Sequence, residues 1–104
     1  MFVDDLAEGL CYLMEHVEAK DLYDNNLSFL NIGIGKDLTI SALANMISEV
    51  VGFKGEIVYD NSKPDGTPRK LLDVSRINKL GWKAKTELRD GIKKTYEWFV
   101  NNAC

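Results

Sequence analysis

LSFLNIG, residues 27–33, and EIVY, residues 56–59, decide how this chain is read. Each is a short run of aliphatic, β-branched and aromatic residues bounded by turn-forming residues, which is the composition of a strand. Between them Thr39 stands where a helix N-cap belongs. Ile40, Leu43, Ala44, Ile47, Val50 and Val51 then recur at helical spacing, and Gly52 is placed to end the helix. Strand, helix and strand in that order imply two parallel strands joined by a right-handed crossover.

The elements on either side follow the same logic. Asp5 to about Val17 reads as a helix, with Leu6, Leu10, Leu13, Met14 and Val17 on one face and Asp5 with Glu8 as a capping box. Glu18 to Asn26 is polar and reads as a loop, with extension of the helix by a turn as the alternative. After the second strand comes a punctuated segment, SKPDGTPRK, residues 62–70. Asp73 is then placed to cap a short helix, VSRINKL, which stops at Gly81. Thr86 is placed to cap a last helix with Leu88, Ile92, Tyr96 and Phe99 on one face. The expected architecture is an α/β fold in the order α-β-α-β-loop-α-α, as one small domain over residues 1–104. The apolar helical stripes read as core.

Bulk properties narrow the function. With 104 residues the chain suits one domain with a thin core. A net charge of −3, with basic residues scattered among acids, argues against nucleic acid as a partner. No apolar run approaches the ~20 residues that cross a bilayer, and MFVDDLAEGL lacks the pattern of a signal peptide. Cys11 and Cys104 have no metal-binding or redox spacing. Cys11 reads as a buried helix thiol, and a reducing cytoplasm is the expected compartment.

Several motifs invite chemistry and fall short. Gly33-Ile-Gly35 sits where a dinucleotide fingerprint would, but its third position is Leu38. The plainer reading is a turn using two permissive glycines. Tyr59 and Lys63 have the Tyr-x-x-x-Lys spacing of a proton-relay pair, which needs a helix to bring them together; here they span a strand end and a loop. His16, the sole histidine, suits the end of the first helix.

The 62–70 loop is the exception. It holds both prolines of the chain, one glycine, Asp65, two lysines and Arg69. Pro64-Asp65-Gly66 reads as a turn with glycine where a positive φ is wanted, and Pro68 keeps Thr67 extended. Arg69 and Lys70 are thereby presented from stiff backbone, one as a planar fork for phosphate and the other as a point charge. Asp65 can accept hydrogen bonds from sugar hydroxyls or from a base edge. From the residues alone, an anion site and a solvated charged turn stand level.

VDDLAEGLCYLME, NIGIGKDLTISALANMISEVVGF, SKPDGTPRKLLDVSRINKLGW and GIKKTYEWF together resemble the C-terminal third of the GDP-L-fucose synthase family, over Phe2 to about Asn101. The most specific part is PDGTPRKLLDVSR. That family belongs to the extended short-chain dehydrogenase/reductases. It makes GDP-L-fucose from GDP-4-keto-6-deoxymannose with NADPH, by 3,5-epimerisation and 4-reduction. The resemblance implies that Asp65 and Lys70 contact a GDP-sugar, with Arg69 beside them in the same loop.

It also implies what is not here. The family's glycine fingerprint for NADPH and its catalytic Ser, Tyr, Lys, Cys and His residues have no counterpart in this sequence. The expectation is a substrate-side domain without a dinucleotide-binding domain, without its own cofactor or metal, and inactive alone. It would bind GDP-sugar weakly. It would also self-associate through surface that the missing domain covers in the family. The alternative is a stand-alone interaction module that self-associates and no longer binds nucleotide sugar.

Overall fold

A computed structural model describes residues 1–103, and Cys104 lies outside them. Five helices occur in that span: α1 (Val3–His16), α2 (Ala19–Tyr23), α3 (Ile40–Val51), α4 (Ser75–Lys79) and α5 (Leu88–Ala103). No helix among the described residues is long and apolar enough to cross a membrane.

No strand forms among the described residues, so the α/β expectation is corrected. A strand exists only where backbone N–H and C=O groups pair with a neighbouring segment. Residues 27–33 and 56–59 have strand composition, but no ladder joins them. Leu27 N–H instead turns back to the Leu22 carbonyl at 2.9 Å. The Asn31 side chain donates to the Asp73 carbonyl at 3.2 Å. Strand composition reports fitness for a pleated, half-buried surface; it does not report whether a partner lies alongside.

The contacts divide the chain into two compact units built from interleaved stretches. Met1–Lys36 and Leu72–Thr86 form the first, and Asp37–Leu71 with the segment from Glu87 onward forms the second.

The first unit is built on Val74, Ile77 and Trp82, with Tyr12, Leu13, Ile32 and Ala84 packed against them. A five-residue helix such as α4 cannot stand by itself, so neighbouring groups hold it. Asp73 Oδ1 accepts the Ser75 amide at 2.9 Å. Gly81 turns the chain at φ +103°, and the Tyr12 hydroxyl donates to the Leu80 carbonyl at 2.9 Å.

α1 presents a different face from the one its leucines suggest. Its buried residues are Asp5 and Gly9, while Leu10 is exposed and Met14 is 86% exposed. A Cβ on Gly9 would lie 2.6 Å from Ile32 Cδ1 and 2.8 Å from Trp82 Cζ2, so this position admits only glycine without rearrangement. Asp5 forms no capping box. It accepts hydrogen bonds from Lys85 N–H (3.1 Å), Thr86 N–H (2.8 Å) and the Thr86 hydroxyl (2.8 Å). The Thr86 amide is the main cause that holds this carboxyl below its ordinary pKa. The segment read as loop after α1 contains α2, where Glu18 N–H donates to Asp21 Oδ2 at 2.9 Å.

In the second unit α3 packs against α5. Thr39 caps α3 by accepting the Ala42 amide at 3.1 Å, and Gly52 ends it at φ +72°. Arg89 on α5 pairs with Glu49 on α3 at 2.7 Å. The inner contact is thin. Leu43, Ala44, Val50, Leu88, Ile92 and Tyr96 are half-buried, while Ile40, Trp98, Phe99 and Val100 stand exposed.

Candidate functional site

Residues 54–73 carry no backbone-to-backbone hydrogen bond among those of the described residues. What holds this long segment is side chains. The Tyr59 hydroxyl donates to Ser41 Oγ at 2.9 Å. Arg69 donates from Nε to Asp37 Oδ2 at 2.6 Å and from Nη2 to Asp37 Oδ1 at 3.3 Å. Both ties land on the stretch that opens α3, so the PDGTPRK loop is bracketed by contacts to one short piece of chain. Hydrogen bonding by the guanidinium, with its charge behind it, holds the Asp37 carboxyl below its usual range; the same contact raises Arg69 further.

The turn inside the loop lies earlier than its sequence indicates. Asn61 to Lys63 form the bend, with the Ser62 amide donating to Asp60 Oδ1 at 2.9 Å. The Ser62 side chain first, and then this amide, hold the Asp60 carboxyl low. Gly66 is not among the positive-φ glycines, which are Gly35, Gly52 and Gly81. The Pro-Asp-Gly reading as the site of a left-handed glycine is thus corrected: the Asp60 side chain makes the turn before Pro64 is reached.

The three candidate binding residues share this exposed loop. Asp65 and Lys70 stand open to solvent, and Arg69 is fixed by Asp37 with its side chain 68% exposed. Asp37 was not legible as a partner. It sits 32 positions from Arg69, and no spacing rule joins residues that far apart outside a regular element.

Other candidates resolve into structure. The open faces of the paired glycines are filled by side chains. A Cβ on Gly35, at φ +69°, would meet Val74 Cγ2 at 2.7 Å, and one on Gly33 would meet Val74 and Leu72 at 3.5 and 3.6 Å. Tyr59 pairs with Ser41, and the Tyr-x-x-x-Lys spacing joins nothing. His16 stacks on Tyr12 with ring centroids 4.3 Å apart, in the last turn of α1. Cys11 is a free, exposed thiol, which corrects the buried reading. Among the described residues no group of three or more His, Cys, Asp or Glu side chains is placed to hold a metal.

A scan against models of protein families gives no match. Individual relatives do match. The chain is 47% identical over 104 residues to GDP-L-fucose synthase of Escherichia coli, covering 98% of the chain and 32% of that protein. It is 44% identical over 104 residues to GDP-L-fucose synthase 1 of Arabidopsis thaliana, covering 100% of the chain and 30% of that protein. The structure superposes at a TM-score of 0.86 on a GDP-6-OMe-4-keto-L-xylo-heptose reductase from C. jejuni. That likeness is 46% in sequence and covers 94% of this chain and 29% of that one. The chain thus spans about a third of the length of the relatives it matches. Over nearly its whole length the chain is similar to a C-terminal portion of GDP-L-fucose synthases and of a GDP-sugar reductase.

Proposed function

We propose that this chain is the substrate side of a GDP-4-keto-6-deoxymannose 3,5-epimerase/4-reductase. On this reading it holds the GDP-sugar through the 62–70 loop and performs no hydride transfer by itself. The observation that carries the proposal is the loop: a segment with Asp65, Arg69 and Lys70 exposed, in a chain similar over nearly its whole length to proteins named for GDP-sugars. Arg69 supplies a planar donor set for a diphosphate oxygen and Lys70 a mobile positive charge. Asp65 accepts from a sugar hydroxyl. The exposed Cys11 thiol suits a reducing compartment, and a cytoplasmic location is part of the same proposal.

Calorimetric titration with GDP-L-fucose tests this. Saturable binding is expected, with Arg69→Ala and Lys70→Ala each weakening it by about ten-fold. No binding at millimolar ligand, or variants that bind as well as the parent, would overturn it.

A second reading, a self-associating interaction module, is favoured by the exposed apolar side chains. Leu10 and Met14 on α1, and Trp98, Phe99 and Val100 on α5, face solvent. Apolar surface of this kind marks an interaction site when it is contiguous. Light scattering should give a mass above that of the monomer at high concentration. A strictly monomeric mass would count against self-association.

A further inference from the structure

We propose that Asp37 is a positioning residue for the GDP-sugar site: it holds the Arg69 guanidinium by one edge and so presents the other edge to the ligand diphosphate. This rests on the reading of the 62–70 loop given above. A guanidinium has five N–H donors in a fixed plane. Asp37 takes the Nε donor and one on Nη2. The remaining Nη2 donor and one on Nη1 form the adjacent end-on edge, which is a fork that receives a phosphate in bidentate fashion. With the Arg69 side chain 68% exposed, that edge is open to a ligand from solvent.

Two further features point to positioning. The first is that backbone pairing does not hold residues 54–73 among the described residues, so the direction in which Arg69 points depends on side-chain contacts. The second is that Asp37 is the more enclosed of the pair, with its side chain 35% exposed. It is therefore the anchored member, and Arg69 is the one being aimed. A long side chain loses rotamer freedom when it engages a ligand, and holding it beforehand removes part of that loss from the binding step. The opposing effect is repulsion between Asp37 and a diphosphate. Both groups lie in contact with solvent, where salt screens such repulsion.

The test compares the parent, Asp37→Ala, Asp37→Glu, Arg69→Ala and the Asp37→Ala/Arg69→Ala double variant in GDP-L-fucose titrations. The order parameter of Arg69 Nε is measured by 15N relaxation in ligand-free protein. Asp37→Ala should weaken binding about three- to five-fold, as expected for loss of an exposed ion pair. Asp37→Glu should recover part of the loss. In the Arg69→Ala background, removal of Asp37 should cost nothing further, because the two act as a unit. Asp37→Ala that binds equally or more tightly would overturn the proposal, as would an undiminished loss in the Arg69→Ala background. If the parent binds no GDP-sugar, the site reading itself falls. The relaxation data then decide the contact alone. A fall of the Nε order parameter below about 0.6 in Asp37→Ala supports it, and an unchanged value refutes it.

Discussion

Ile77→Ala is expected to lower the unfolding free energy by about 3 kcal/mol. Ile77 is 0% exposed, the sole large side chain among the described residues that is fully buried. It sits in α4 between Val74 and Trp82, and this cluster is the centre of the first unit. Truncation removes three carbons and leaves a cavity that cannot easily collapse, because Trp82 is rigid and Gly9 packs directly on its ring. With so few buried apolar residues, no second core compensates. Native stabilities are about 5–15 kcal/mol, so the loss is a large share of the total. Urea unfolding followed by tryptophan fluorescence measures it. Ile77→Val should cost about 1 kcal/mol. A midpoint unchanged in Ile77→Ala would show that this cluster does not hold the unit together.

The second large effect is at Asp5, a buried carboxylate that ties the start of α1 to residues 85 and 86. Asp5→Asn replaces an acceptor oxygen with a donor facing donors, and leaves buried N–H or O–H groups unpaired. A marked fall in the thermal midpoint at neutral pH is expected. The pH dependence adds a second readout. The Thr86 amide first, then the Thr86 hydroxyl, the Lys85 amide and the Lys85 charge, hold the folded-state pKa of Asp5 below its ordinary value despite burial. The unfolded chain therefore takes up the proton more readily than the folded one. The stabilisation is complete above the unfolded-state pKa, about 3.9, and is lost as pH falls through the folded value. Asp37, Asp60 and Asp73 are held low in the same direction but lie exposed, where such contributions are smaller. The gap in denaturant midpoint between parent and Asp5→Asn should narrow as pH falls from 7 to 3. A constant gap across that range would assign the loss to something other than this carboxylate.

The longer helices were legible in the sequence because they depend on neighbours three and four positions apart; the five-residue α2, in a segment read mainly as loop, was not. Thr39 and Gly52 bound α3 as their types suggest, and Gly81 stops the segment that follows α4. What escaped depends on distant contacts. The strand readings of 27–33 and 56–59 needed a pairing partner that composition does not reveal. The buried face of α1 runs through Asp5 and Gly9, two residues that a hydrophobic count ignores, because Lys85, Thr86 and Trp82 come to meet them. In the site, the residues of the PDGTPRK loop could be singled out for their charge and stiffness. The carboxylate that fixes Arg69 could not, since the pair forms only when Asp37 and the loop are brought together by the second unit's own folding.

Amide spectra of the 104-residue chain titrated with GDP-L-fucose test the central claim most directly. Saturable shifts are expected, concentrated on residues 62–70 and on Asp37. An absence of shifts at millimolar ligand, or shifts confined to other parts of the chain, would contradict it.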